Sequence, residues 1–154
     1  MTQENTSEDI VTIAIITDEF PKPFSMTKWL VLSSCFFLIP ATYALQNAIY
    51  LYGFVSVSTT ICSINHWRCA EDGLRRKVDK IVAMMAFIIY FSTGCVYFPI
   101  YISVVTFATI ALSFMISNHL SKNHDPYWVL AHVFFHASVT ITKIIIIYHI
   151  LNNK

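Results

Sequence analysis

Residues 29–67 read WLVLSSCFFLIPATYALQNAIYLYGFVSVSTTICSINHW and contain no Asp, Glu, Lys or Arg. At a rise of ~1.5 Å per residue, a helix of this length is about twice as long as one crossing of a ~30 Å hydrocarbon core requires. The stretch therefore predicts a helical hairpin that crosses a membrane and returns.

The rest of the chain continues this pattern. Residues 81–121 form a second uncharged stretch and predict a second hairpin, and the apolar run 127–151 is interrupted only by Lys143. The expected fold is an all-α, polytopic transmembrane helical bundle of about five spans, preceded by a cytosolic tail (residues 1–26; transmembrane domain 27–154). Four or six spans remain compatible with the pattern. The five predicted spans are about 29–45, 49–66, 81–97, 100–116 and 127–151.

The composition agrees with an integral membrane protein, because 56% of the residues are hydrophobic and only 12% are charged. Soluble domains carry about 25% charged residues, and a chain this short could not bury so much apolar surface. The five basic residues between Arg68 and Lys80 lie between two predicted spans and not on a soluble face, so no nucleic-acid partner is expected. Membrane lipids are the expected partners, and the sequence leaves the oligomeric state open.

Basic residues predict the orientation. Five spans would place eight of the ten Lys and Arg residues on the side of the N-terminus. The positive-inside rule then predicts a cytosolic N-terminus and an exterior or lumenal C-terminus, in a membrane that the sequence does not specify. The sequon at Asn5 would then escape glycosylation.

The second span is rich in small hydroxyl residues, including Ser56, Thr60 and Ser63. Such residues let helices approach closely, so we expect this span to lie in the middle of the bundle and to touch the third and fifth spans. Lys143 is expected to snorkel to the far interface. A Schiff-base lysine is the alternative, disfavoured because no acid lies at mid-depth.

Three histidines and one aspartate fall near span ends on one predicted side of the membrane. His132 and His136 are four residues apart and share a helix face, while His66 ends the second span and Asp79 begins the third. Three imidazoles plus a water or carboxylate make a tetrahedral zinc site with an open position. Asp79 could orient a histidine, accept the proton of a zinc-bound water or bind the metal.

A structural interpretation competes with this one. Interfacial histidines are commonly amphipathic anchors, and Asp79 follows Arg75, Arg76 and Lys77, with which it could simply pair. Spacing alone leaves both interpretations open.

Two segments resemble a known superfamily. Residues 62–66 (CSINH) followed by residues 76–79 (RKVD) look like the second-to-third-span signature of the alkaline ceramidase and progestin/adipoQ receptor superfamily, and residues 131–136 (AHVFFH) resemble the HxxxH of its last span. The resemblance implies zinc bound by His66, His132 and His136, with Asp79 and Ser63 assisting. It further implies hydrolysis of a lipid amide or ester, or a receptor with similar activity.

The chain departs from that superfamily in two ways. Its members have seven spans, and their serine lies four residues before the histidine, where this chain has Cys62. The first expectation is therefore a zinc-dependent hydrolase of a lipid amide or ester. The alternative is a non-catalytic membrane protein, receptor-like or part of an assembly, that retains only the fold. A small transporter is a third candidate, but the outer halves of the spans offer few polar groups for a path.

Overall fold

The structure, a computed structural model, describes residues 22–153. Within this range six α-helices follow one another, and a single 3₁₀ turn, Cys35–Phe37, joins the first two. The Asn5 sequon and the first 21 residues of the predicted tail lie outside the described residues. The helices are α1 (Phe24–Ser34), α2 (Leu38–Gln46), α3 (Tyr50–Arg68), α4 (Leu74–Tyr97), α5 (Ile100–Lys122) and α6 (Trp128–Asn152).

Pro40 explains why the first long helix is divided. Its ring nitrogen carries no hydrogen, and the ring clashes with the carbonyl of Phe36, four residues earlier, so the regular hydrogen-bond ladder fails there. The chain tightens into the 3₁₀ turn Cys35–Phe37 and continues as α2. The turn places Phe37 in the interior, where it is 3% exposed.

The long helices alternate in direction between two ends of the bundle. At one end, the backbone N–H of Lys22 donates to the carbonyl of Ala70 at 3.0 Å, and its Nζ donates to the carbonyl of Ser121 at 3.3 Å. At the other end, the ring of Phe98 lies 4.4 Å from that of His149. The loops at residues 69–73 and 123–127 therefore share what we call the Lys22 end, and the last residues of α6 lie at the opposite end.

Four helical segments are long and apolar enough to cross a membrane: Phe24–Gln46, α4, α5 and α6. Their outward faces are apolar, as on α4, where Ile81, Met84, Met85 and Ile88 repeat at helical spacing and are all more than half exposed. A water-soluble protein rarely exposes so continuous an apolar surface. The fold is thus an all-α, multi-pass membrane bundle, as predicted.

By length and apolarity, four helical segments of the described residues qualify as spans and not the five predicted. Helix α3 is 19 residues long and runs between the same two ends of the bundle, but its hydroxyl residues, Asn65, His66 and Arg68 make it too polar to qualify. Those hydroxyls turn inward as expected, because Ser56, Thr60 and Ser63 are at most 3% exposed. Helix α3 therefore turns Ser56, Thr60 and Ser63 toward its neighbours, while its apolar side chains Leu51, Phe54 and Ile61 are more than half exposed.

Helix α3 packs along α1, α2 and α4. The predicted contact with the last span is made by Trp67, whose ring centroid lies 6.1 Å from that of Trp128 and 4.9 Å from that of His132. These rings join Leu30 and Ala70 in a small apolar cluster at the Lys22 end, while a larger cluster around Tyr90 and Ile147 fills the other half.

Candidate functional site

A cavity of about 500 Å³ opens inside the bundle, walled by α3, α4, α5, α6 and the 3₁₀ turn. Every residue that the sequence singled out for chemistry lines it: Ser63, His66, Asp79, His132 and His136. The five residues therefore face one common space inside the bundle.

The two histidines of the HxxxH pair are each hydrogen-bonded to a serine of another helix. The rings of His132 and His136 lie on one face of α6 with centroids 4.8 Å apart, and both side chains are buried. Nδ1 of His136 is 2.8 Å from Oγ of Ser33, and Nδ1 of His132 is 2.9 Å from Oγ of Ser117. A hydroxyl from a neighbouring helix thus fixes each ring.

The serine hydroxyls are compatible with one particular tautomer of each ring. Oγ of Ser33 also lies 3.2 Å from the carbonyl of Leu30, and when it donates its one hydrogen there, its oxygen accepts from Nδ1–H of His136. Ser117 has the same arrangement, donating to the carbonyl of Trp128 at 3.4 Å. Both imidazoles then keep a lone pair on Nε2, which is the tautomer that a metal ligand needs.

His66 approaches the pair from α3 but does not close a ligand set. Its ring packs on Trp67 at 4.5 Å between centroids, and Trp67 in turn packs on His132 at 4.9 Å. Among residues 22–153, no three His, Cys, Asp or Glu side chains lie close enough together to hold a metal ion. Convergence of the three imidazoles on one ion therefore requires side-chain rotation from this arrangement.

Ser63 and Asp79 complete the predicted set from α3 and α4. Oγ of Ser63 is hydrogen-bonded to Oγ of Ser34 at 2.9 Å, and Ser63, not Cys62, lines the cavity. Asp79 is half-buried and lines the cavity beside Arg76 and Lys80. The carboxylate of Asp79 thus lines the same cavity as the imidazoles of His66, His132 and His136.

The predicted position of the Lys143 side chain is wrong. It was expected to snorkel to the far interface, but its side chain is 3% exposed and lines the cavity. The reason is its helix face, because His132, His136, Thr140 and Lys143 follow the interior stripe of α6. A side chain on that stripe enters the bundle before it can reach either end.

The sequence did not single out Ser33 and Ser117, the two serines that are hydrogen-bonded to His136 and His132. The only signal for them was a hydroxyl inside an otherwise apolar span. Hydroxyls commonly bond to the carbonyl one turn earlier in their own helix, as Thr60 does to Ser56 at 2.9 Å, so the sequence could not show which of them meet a histidine.

The fold and the cavity together define a multi-pass helical membrane protein with a largely apolar cavity inside its bundle, into which a few polar and charged side chains project. No family model, curated protein or solved structure matches the chain. The proposals that follow depend on the geometry of the described residues.

Proposed function

We propose that this protein is a zinc-dependent hydrolase of a lipid amide or ester that works inside the membrane. The observation that carries the proposal is that His66, His132, His136, Asp79 and Ser63 line one cavity. The rest of the cavity lining consists mostly of aromatic and aliphatic side chains such as Phe107 and Phe135, and an apolar lining of this kind suits an acyl chain.

The residues fit zinc in part. His132 and His136 offer Nε2 while a serine holds each Nδ1, which matches the hydrogen-bonded histidines of metal sites. His66 would supply the third nitrogen after a rotation of its ring away from Trp67. Zinc held there would provide a bound water of pKa near ~7, a nucleophile at neutral pH. Asp79 would take up the proton of that water, and Ser63 would help position the substrate.

The alternative is a non-catalytic membrane protein, receptor-like or part of an assembly. One observation favours it specifically: among residues 22–153, His66 does not converge with His132 and His136 into a group of three ligands, and the His136 ring packs at 5.0 Å from that of Phe37. In that case the imidazoles stabilise the bundle as buried polar groups with hydrogen-bond partners.

Metal analysis of the detergent-purified protein separates the two. The hydrolase should contain about one zinc per chain, the content of a three-histidine catalytic site. It should cleave a fluorescent N-acyl sphingoid amide or acyl ester, lose activity to a chelator and regain it with added zinc. Purified protein without stoichiometric zinc and without hydrolysis would leave the non-catalytic function in place.

We also propose that the Lys22 end of the bundle faces the cytosol. Eight basic residues lie in or beside the segments that meet at this end: Lys22, Lys28, Arg68, Arg75, Arg76, Lys77, Lys80 and Lys122. The positive-inside rule therefore favours a cytosolic N-terminus and an exterior or lumenal C-terminus.

Reporter fusions test this orientation. A reporter active only in the cytosol should work at the N-terminus and fail at the C-terminus, and a glycosylation tag should be modified only at the C-terminus. Glycosylation of Asn5 in the intact protein would contradict the orientation.

A further inference from the structure

Lys143 holds an amino group inside the bundle without a polar partner. Its Nζ lies 4.7 Å from the ring centroid of Phe37 and 5.2 Å from that of Tyr90. The Tyr90 hydroxyl is bonded to Oγ of Ser56 at 3.0 Å, so Tyr90 offers Lys143 its ring face. Two aromatic faces thus hold the head of the lysine in place, as in cation–π sites.

The N–H groups of the Lys143 side chain have no hydrogen-bond acceptor among the described residues. Nζ makes no hydrogen bond to any described residue, although an ammonium has three hydrogens to donate. A buried charge without a partner is strongly unfavourable, and an ionisable residue within a span is most often functional. The cation–π contacts offset only part of that cost, so a ligand that brings an acceptor would be bound well.

The cavity around Lys143 suits an anion attached to an apolar chain. Its charged lining residues are Lys143, Arg76 and Lys80 against a single carboxylate, Asp79, so the described lining is net positive. From Trp128, near the Lys22 end, to Lys143 the cavity follows 15 residues of α6, or about 22 Å at the helical rise. Most of that wall is apolar.

We propose that Lys143 binds the carboxylate of a single-chain lipid whose hydrocarbon lies along the aromatic wall of the cavity. A carboxylate matches this site because Arg76 and Lys80 lie at the Lys22 end, near the start of α4, so the deep part of the described lining carries one ammonium, that of Lys143. One ammonium balances one charge, whereas a phosphate monoester carries close to two. A cavity of about 500 Å³ accommodates one small amphiphile more readily than a two-chain lipid. The binding requires neither zinc nor hydrolysis.

Equilibrium binding of labelled palmitate and hexadecanol to the detergent-purified chain tests the proposal. The two probes share a chain length and differ in head group. The wild type should bind palmitate at least about tenfold more tightly than hexadecanol, as expected for hydrogen bonds to a charged group. Lys143→Met should remove that preference and leave hexadecanol binding unchanged, and Lys143→Arg should retain most of it.

The matched control is Lys122→Met, which removes an exposed lysine of α5 outside the cavity and should leave the preference intact. The preference should also survive chelator treatment, which separates this proposal from the zinc-dependent one. Equal affinity for palmitate and hexadecanol in the wild type would overturn it, even if Lys143→Met failed to fold. Tighter binding of hexadecyl phosphate than of palmitate, or a palmitate preference that persists in Lys143→Met, would overturn it too.

Discussion

Replacing any one of His66, His132 and His136 with alanine should abolish both bound zinc and lipid hydrolysis. Three nitrogens are the smallest protein ligand set that catalytic zinc sites commonly use, so none of the three is spare. We expect zinc content below detection and a loss of activity larger than the ~10- to 100-fold effect of an outer hydrogen-bond partner. Elemental analysis and turnover of a fluorescent lipid amide would be measured on the same samples.

Two control variants sharpen this result. Ser33→Ala keeps all three imidazoles but removes the hydroxyl bonded to His136, so zinc affinity should fall only ~10- to 100-fold. His119→Ala removes an exposed imidazole of α5 that does not line the cavity, and should change neither quantity. Full zinc content and full turnover in His66→Ala would refute a three-histidine site, because the metal and the reaction would then not need the third imidazole.

Much of the fold could be predicted because charge alone limits where a membrane helix can run. The uncharged stretches 29–67 and 81–121 each form an antiparallel helical hairpin, as predicted, although the first arm of the first hairpin is divided into α1 and α2 by the 3₁₀ turn. For α3, charge and hydropathy do not lead to the same conclusion, because the helix is nearly free of charged residues and yet too polar to qualify as a span. Several of its polar residues, such as Ser56, Thr60 and Ser63, are buried against other helices, so a low mean hydropathy here reflects helix packing and does not by itself show whether the helix crosses the membrane.

For the candidate site, the sequence could predict only how deep in the membrane its residues should lie, and not how their side chains are arranged. Spacing places His66 and the HxxxH pair at one level, because each residue of a helix advances the chain by a fixed rise. Ring directions depend on side-chain rotation and on neighbours such as Trp67, which no spacing specifies. Lys143 is the clearest case, since the same helical stripe that aligns it with His136 also carries it into the interior.

Asp79→Asn should keep most of the zinc and slow hydrolysis by about 10²- to 10⁴-fold, the usual contribution of a general base. Asparagine has nearly the same shape and still offers an acceptor oxygen, but it cannot take up a proton from water. Asp79 is half-buried in the second turn of α4, close enough to the cavity to line it with the three histidines. The measurement pairs zinc content with single-turnover rates of the purified variant.

Asp72→Asn is the matched control, because it makes the same chemical change to the carboxylate that accepts from Arg76 at 3.0 Å. Asp72 is 69% exposed, and an exposed ion pair contributes little to stability, so zinc and rate should stay at wild-type levels. If Asp79→Asn loses zinc in parallel with activity, Asp79 is itself a metal ligand. If neither changes, the carboxylate only balances the charge of the neighbouring basic residues, and the proton must leave by another group lining the cavity.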